Sequence, residues 1–379
     1  MSRIYFDNQS TTFLSAEVIE AMTQVMQKGY ANPASQHEFG RLARREIESC
    51  RERIGKSLGL GRSDRCIFTS GGTESNNLAL LGHFAANSFS EANLVTSAIE
   101  HPSILATLDY LQAQQVEIRK VDAGPDGSVR PADFELLIDD QTRVVTCMLA
   151  NNETGAIQPV DEIASICQDR QIPFHIDAVQ AIGKTSFDFS SLGCSSATIS
   201  PHKIHGPVGM GVLLSREECR LDPLVFGGFQ QEGIRPGTES LVLAAGACRA
   251  IELAIEHLND NCSQLAQLRD RFETLLSQHP FIKINCRDGN RLPNASNVSF
   301  LGIDRQQFVL AADVAGLACS TGSACSSGSS QPSHVLASMG CEKEVVDSAV
   351  RFGFSVQNRE EEVELAVDRI NRILAFKKP

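Results

Sequence analysis

Apolar residues recur along this chain in two rhythms. Between Ala16 and Gln27 the positions Val18, Met22, Val25 and Met26 share one side of a 3.6-residue period, which predicts an amphipathic helix. An Arg- and Glu-rich segment predicts a second helix from Gly40 to Leu58. Beyond it, short apolar runs alternate with helical stretches. Cys66–Phe68, Leu94–Thr96, Val144–Met148, Phe174–Ile176, Ala197–Ile199 and Val212–Leu214 read as strands. Strands spaced by helices favour an α/β fold with a mainly parallel sheet flanked by helices. A helical stretch from about Leu241 to Gln278, punctuated by Asn and Asp near 259–261, divides this region from the C-terminal part. There Ile282–Asn285 and Asn297–Phe300 read as strands and Gln306–Leu317 as a helix. A loop dominated by Ser and Gly follows from Ser320 to Ser333, and Glu360–Phe376 reads as a charged final helix.

Composition narrows the picture. At 379 residues the chain suggests two or three folding units, and 42% hydrophobic with 21% charged residues is ordinary globular composition. A net charge of −12 works against direct nucleic-acid binding, which depends on clustered Lys and Arg. No run of about 18 apolar residues predicts a membrane span, and the N-terminus lacks the apolar core of a signal peptide. A cytoplasmic location is expected. The cysteines, twelve in all, are scattered without a CxxC pair, so reduced and mostly buried thiols are expected rather than disulfides or a metal site.

Polar residues gather where the predicted strands end, which is where ligands bind in open α/β sheets. Gly71-Gly72-Thr73-Glu74-Ser75-Asn76 follows one strand and opens a helix, a turn whose backbone N–H groups suit an anion. It lacks the Lys of a P-loop and the spacing of a dinucleotide fingerprint. Ser200-Pro201-His202-Lys203 holds a Lys in a turn between two apolar strands. Desolvation there would lower its pKa and make its amine a Schiff-base nucleophile, and Ser200 and His202 could share an anion with the glycine turn. Asp177 ends Phe174–Ile176, and His101 and Asn151-Asn152-Glu153 follow two other strands.

The order of these motifs resembles the cysteine desulfurases nearly end to end. It runs from Tyr5-Phe6-Asp7-Asn8 through Asn32-Pro33-Ala34-Ser35, Ser70–Asn76, Glu100-His101-Pro102-Ser103 and Asn151–Gly155 to His175–Gln180, His202-Lys203, Arg235–Glu239 and Gly322-Ser323-Ala324-Cys325. The resemblance implies a homodimeric fold-type I pyridoxal phosphate (PLP) enzyme on the class-V aminotransferase branch. It implies a large PLP-binding domain over residues 15–255, and a smaller α+β domain formed by 1–14 and 256–379 with a catalytic cysteine loop at about 320–333.

By the same resemblance Lys203 carries the cofactor, Asp177 faces its ring nitrogen, His101 stacks on the ring and Gln180 meets the ring hydroxyl. Gly72, Thr73, Ser200 and His202 would hold the phosphate, with Thr238 from the partner subunit. Arg351 would grip the substrate carboxylate, assisted by Asn152, which is also expected at the cofactor; Asn151 is the neighbouring alternative. Cys325 would take sulfur from L-cysteine as a persulfide, leave alanine, and deliver sulfur to an acceptor protein such as an iron–sulfur scaffold or a tRNA-thiolation enzyme. A selenocysteine lyase, a class-V aminotransferase needing no cysteine, and a silent scaffold subunit are the competing readings.

Overall fold

The computed structural model describes residues 3–85, 92–322 and 331–375. In chain order the strands are β1 (Ile4–Tyr5), β2 (Arg65–Thr69), β3 (Asn93–Ser97), β4 (Glu117–Val121), β5 (Thr142–Met148), β6 (Phe174–Asp177), β7 (Ser196–Ile199), β8 (Gly211–Ser215), β9 (Ile282–Asn285), β10 (Ala295–Phe300), β11 (Leu317–Ala318) and β12 (Ala349–Gly353). The large sheet has the order β2-β8-β7-β6-β5-β3-β4. From β4 to β7 neighbours run parallel, whereas β8 is antiparallel to both β7 and β2. The fold is therefore the expected α/β class, with one reversed strand. β3, β6 and β7 are buried along their whole length, as strands are when both sheet faces are covered by helices.

The predicted helices appear as Ala16–Gln27 and Glu38–Leu58. The long helical stretch is two helices, Leu241–Glu256 and Leu258–Leu276, joined at His257. Their apolar faces enter different cores. Leu241, Ala244 and Ile251 pack with the large sheet, while Leu265, Leu268 and Phe272 pack with Ile4, Phe6, Phe300 and Phe352. A three-stranded antiparallel sheet, β12-β10-β9, underlies this second cluster, and β1 pairs in parallel with β11. Among the described residues no helix is long and apolar enough to cross a membrane.

Four strands escape the hydrophobic pattern: the two-residue β1 and β11, and the longer β4 and β12. β4 reads Glu-Ile-Arg-Lys-Val at the sheet edge, where charge blunts an exposed row of backbone groups. In β12 the Arg351 side chain interrupts an apolar run, yet it is buried. The helix predicted to Leu317 stops at Val314, and Gly316, with φ of 84°, turns the chain into β11.

Candidate active site

The strand ends β2, β3, β5, β6 and β7 open on one side of the large sheet and bring the polar motifs together. Gly72 begins the helix Gly72–Ala85. A Cβ there would lie 3.1 Å from Val179 Cγ2 and 3.6 Å from Ser200 Cβ, so glycine lets this helix N-terminus approach the turn after β7. Gly211 serves the same purpose from β8, because its Cβ would clash with Thr69 Oγ1 and the Gly71 carbonyl. Thr73 is exposed at the first turn, whereas Ser200 is buried and its hydroxyl has no partner among the described residues.

Lys203 closes the short 3-10 turn Pro201–Lys203. Its Nζ donates to the carbonyls of Gln9 (2.6 Å) and Ser10 (2.7 Å). Burial pulls its pKa down to about 7, helped by the positive charges of Arg351 and Lys184 and opposed by Asp7 and Asp177. Near neutral pH much of this amine is therefore unprotonated and nucleophilic. Gln180 Nε2 donates to the same Gln9 carbonyl (3.1 Å), while its Oε1 is buried without a partner among the described residues. His202 is held neutral by burial, its pKa pushed down to about 4, and its Nδ1 lies 3.1 Å from Thr11 Oγ1.

Asp177 ends β6, where its Oδ1 accepts from the Val179 backbone N–H (3.0 Å) and its Oδ2 from Asn76 Nδ2 (2.8 Å). Asn76 also donates to Ser103 Oγ (2.9 Å). His175 Nε2 stands 3.1 Å from Asn76 Oδ1, and its Nδ1 2.8 Å from Ser196 Oγ. Burial pushes the His175 pKa down to about 3, so a neutral ring donates to Asn76 and fixes which way the amide points. His101 caps the helix Pro102–Ala113 by accepting the Ser103 N–H at Nδ1 (3.1 Å), which places the proton of its neutral form on Nε2. Burial lowers the His101 pKa, with Asp177 opposing.

Arg351 reaches the site from β12. Its Nη1 donates to the Asn152 carbonyl (3.0 Å), and its Nη2 to Asp7 Oδ1 (3.1 Å) and Ser10 Oγ (2.5 Å). Asn151 is consumed by its own turn: Nδ2 donates to the Ile99 carbonyl (3.0 Å) and Oδ1 accepts from the N–H groups of Glu153 and Thr154 (2.9 Å each). The half-buried Asn152 is thus the better placed of the two to meet a ligand. Thr238 is exposed. Cys325 lies outside the described residues.

The arrangement suits a phosphorylated pyridine aldehyde. It offers a low-pKa amine, a carboxylate braced from two sides, a neutral imidazole, and a helix N-terminus beside the unpartnered Ser200 hydroxyl for a phosphate. Asn76, His175, Asp7 and Ser10 are working parts to which sequence reasoning gave no role, although the first three lie inside the motifs it quoted. Full burial marks Asn76 and His175 but not the part-exposed Asp7 and Ser10, and burial is itself a product of the fold.

This architecture and site define a fold-type I PLP enzyme. Residues 4–365 match the family described as aminotransferase class-V. A cysteine desulfurase IscS of Dictyoglomus turgidum is 38% identical over 375 residues, spanning 98% of this chain and 94% of that protein. A cysteine desulfurase NifS of Azotobacter vinelandii is 34% identical, over 99% of this chain and 93% of that protein. A solved NifS-like protein superimposes with a TM-score of 0.92 at 34% identity, covering 99% of this chain and all of that one. The chain belongs to the class-V aminotransferase family and, within it, to the PLP-dependent cysteine desulfurases. Its substrate is L-cysteine and its sulfur goes to an acceptor.

Proposed function

We propose that Lys203, Asp177, His101, Arg351 and Cys325 carry out this desulfuration in a homodimer, for delivery to iron–sulfur cluster assembly or tRNA thiolation in the cytoplasm. The observation that carries the residue assignment is the Lys203 amine, whose pKa is brought to about 7 among Asp177, Arg351 and the Gln9 and Ser10 carbonyls. Lys203 would hold PLP. Asp177 would face the ring nitrogen, His101 the ring and Gln180 the ring hydroxyl, with Gly72, Thr73, Ser200, His202 and the partner's Thr238 around the phosphate. When bound, the cofactor supplies an electron sink for the pair left at the substrate Cα.

The chain's own residues do the rest. Arg351 binds the substrate carboxylate beside Asn152, exchanging its pairing with Asp7 for the ligand. Lys203 Nζ takes the Cα proton, and Lys203 and the neutral His101 return protons to the carbon skeleton. Cys325 Sγ, as thiolate, forms an S–S bond with the substrate sulfur while the C–S bond breaks, and the bonding pair stays with carbon. The balance is one thiol and one L-cysteine consumed, one persulfide and one alanine formed. Burial pushes the thiols of Cys66 and Cys194 up to about 12 and those of Cys219 and Cys286 to about 11, which supports assigning the nucleophile elsewhere. The second apolar cluster, built only from Ile4, Phe6 and residues between Leu265 and Leu374, supports grouping 1–14 with 256–379 against 15–255, while Cys286, Leu292, Ala295, Val335, Leu336, Met339, Val346 and Ala349 pack with the first.

Borohydride reduction of the holoprotein followed by peptide mapping tests the assignment. The cofactor is expected on the Lys203 peptide, and attachment elsewhere would overturn it. Two further outcomes follow from the site. Arg351→Lys is expected to raise KM for L-cysteine about tenfold to a hundredfold with a smaller change in kcat, the worth of about 1.5–3 kcal/mol in charge-assisted hydrogen bonding. Because the unprotonated amine is the nucleophile, the rate at which apoprotein recaptures PLP is expected to rise through about pH 7 and then level off. A rise continuing toward 10.5, the ordinary lysine value, would show that Lys203 is not desolvated.

A further inference from the structure

Glu153 follows Asn152 in the loop after β5 and is buried to 1% exposure, yet the chemistry above gives it no role. Its carboxyl touches two positions that are both far from it in sequence, Ser333 and Gly322. Ser333 Oγ donates to Glu153 Oε2 (2.5 Å) and also accepts from the Leu336 N–H (3.1 Å), capping the helix His334–Ser338. Gly322 lies against the same carboxyl. A Cβ at this position would stand 2.9 Å from Glu153 Oε2 and 3.0 Å from its Cδ, and the φ of 87° also favours glycine. Gly322 and Ser333 flank the stretch that contains Cys325.

The neighbouring contacts bind this arrangement to the substrate side. Arg351 Nη1 reaches the Gly322 carbonyl (3.5 Å) as well as that of Asn152, and Arg351 and Ser320 exchange backbone hydrogen bonds (2.7 and 3.2 Å). His334 Nε2 stands 2.9 Å from the carbonyl of Glu100, the residue before His101. Asn297 Nδ2 donates to the Glu153 carbonyl (3.2 Å), and the Glu153 N–H is held by Asn151 Oδ1, so the carboxyl is mounted on a loop fixed at both ends.

We propose that Glu153 is a positioning residue for sulfur transfer: its buried carboxyl holds one flank of the Cys325 segment by the Ser333 hydrogen bond and packs against the other at Gly322, setting both against the loop that carries Asn152. The proposal rests on the reading of Cys325 as the sulfur acceptor. Cys325 is three residues from Gly322, a span of at most about 10 Å of extended chain, so the place of Gly322 bounds where the thiol can act. Shifting that anchor changes how often Sγ meets the substrate sulfur, without altering the groups that bind L-cysteine or take its Cα proton. Burial raises the Glu153 pKa toward the neutral acid, a form that glutamine reproduces in shape.

Two substrates separate this role from a merely structural one. L-Cysteine needs the thiol of Cys325, whereas β-chloro-L-alanine loses chloride without any sulfur acceptor. In the holoenzyme, Glu153→Ala is expected to lower kcat for L-cysteine about tenfold to a hundredfold, the scale on which misplacing a reacting group by about 1 Å acts. KM for L-cysteine and elimination from β-chloro-L-alanine are expected to stay within about twofold, and Glu153→Gln to restore most of the L-cysteine rate. Ser333→Ala, which removes only the hydroxyl, gives the same pattern with a smaller drop and serves if Glu153→Ala does not fold. Equal losses on both substrates, or no loss on either, would overturn the proposal. Cys325→Ala is run in parallel: if it still turns over L-cysteine, the underlying reading of Cys325 fails, whatever Glu153→Ala does.

Discussion

Replacing Lys203 with alanine is expected to lower L-cysteine turnover by about 10³-fold or more, because it removes the proton carrier at the substrate Cα, alone worth about 10²–10⁴-fold, along with the covalent hold on the cofactor. The pocket around it would persist, since Asp177 is braced by Asn76 and the Val179 N–H rather than by the lysine. The variant is therefore expected to bind PLP without covalent attachment and to fold as before. Added methylamine, a small amine able to fill the space left by the side chain, is expected to restore part of the rate. The check is steady-state alanine formation with and without methylamine, beside the absorption spectrum of the purified variant. Substantial turnover without any added amine would mean that another residue does this work.

Cys325→Ala is expected to have the other large effect and to leave a different signature. L-Cysteine should still bind through Arg351 and still perturb the cofactor spectrum, because none of the binding groups is touched, but alanine formation and sulfur delivery to a thiol acceptor should stop. Stopped-flow spectra read together with alanine release separate binding from transfer. The contrast with a class-V aminotransferase is direct, since transamination needs no thiol and would survive the substitution.

The parts of the site that were legible in the sequence are those set by local chemistry. A Gly-Gly turn between a strand and a helix, a Lys in a Pro-bounded turn, and an Asp closing an apolar strand each announce themselves within about ten residues, and the structure puts them on one side of one sheet. Strand direction was less legible. Apolar runs such as Val212–Leu214 look the same whichever way they run, and the reversal of β8 follows from the short return after the Pro201–Lys203 turn. Arg351 was found through the family resemblance rather than its strand, because a buried Arg reads as an interruption of β12. The supporting polar contacts were not legible. Asn76 with His175, Arg351 with Asp7, and Glu153 with Ser333 are each brought together by topology across 99, 344 and 180 residues of chain. No sequence period encodes such pairs.

The most direct test of the account is a single turnover of the holoenzyme with L-cysteine in the absence of any reducing thiol, followed by quantification of alanine and mass analysis of the cysteine-containing peptides. The account predicts one alanine per active site and a mass increase of one sulfur atom on the Cys325 peptide, with the peptides of Cys66, Cys194, Cys219 and Cys286 unchanged. Alanine formed in the same amount with no added sulfur on Cys325 would contradict it.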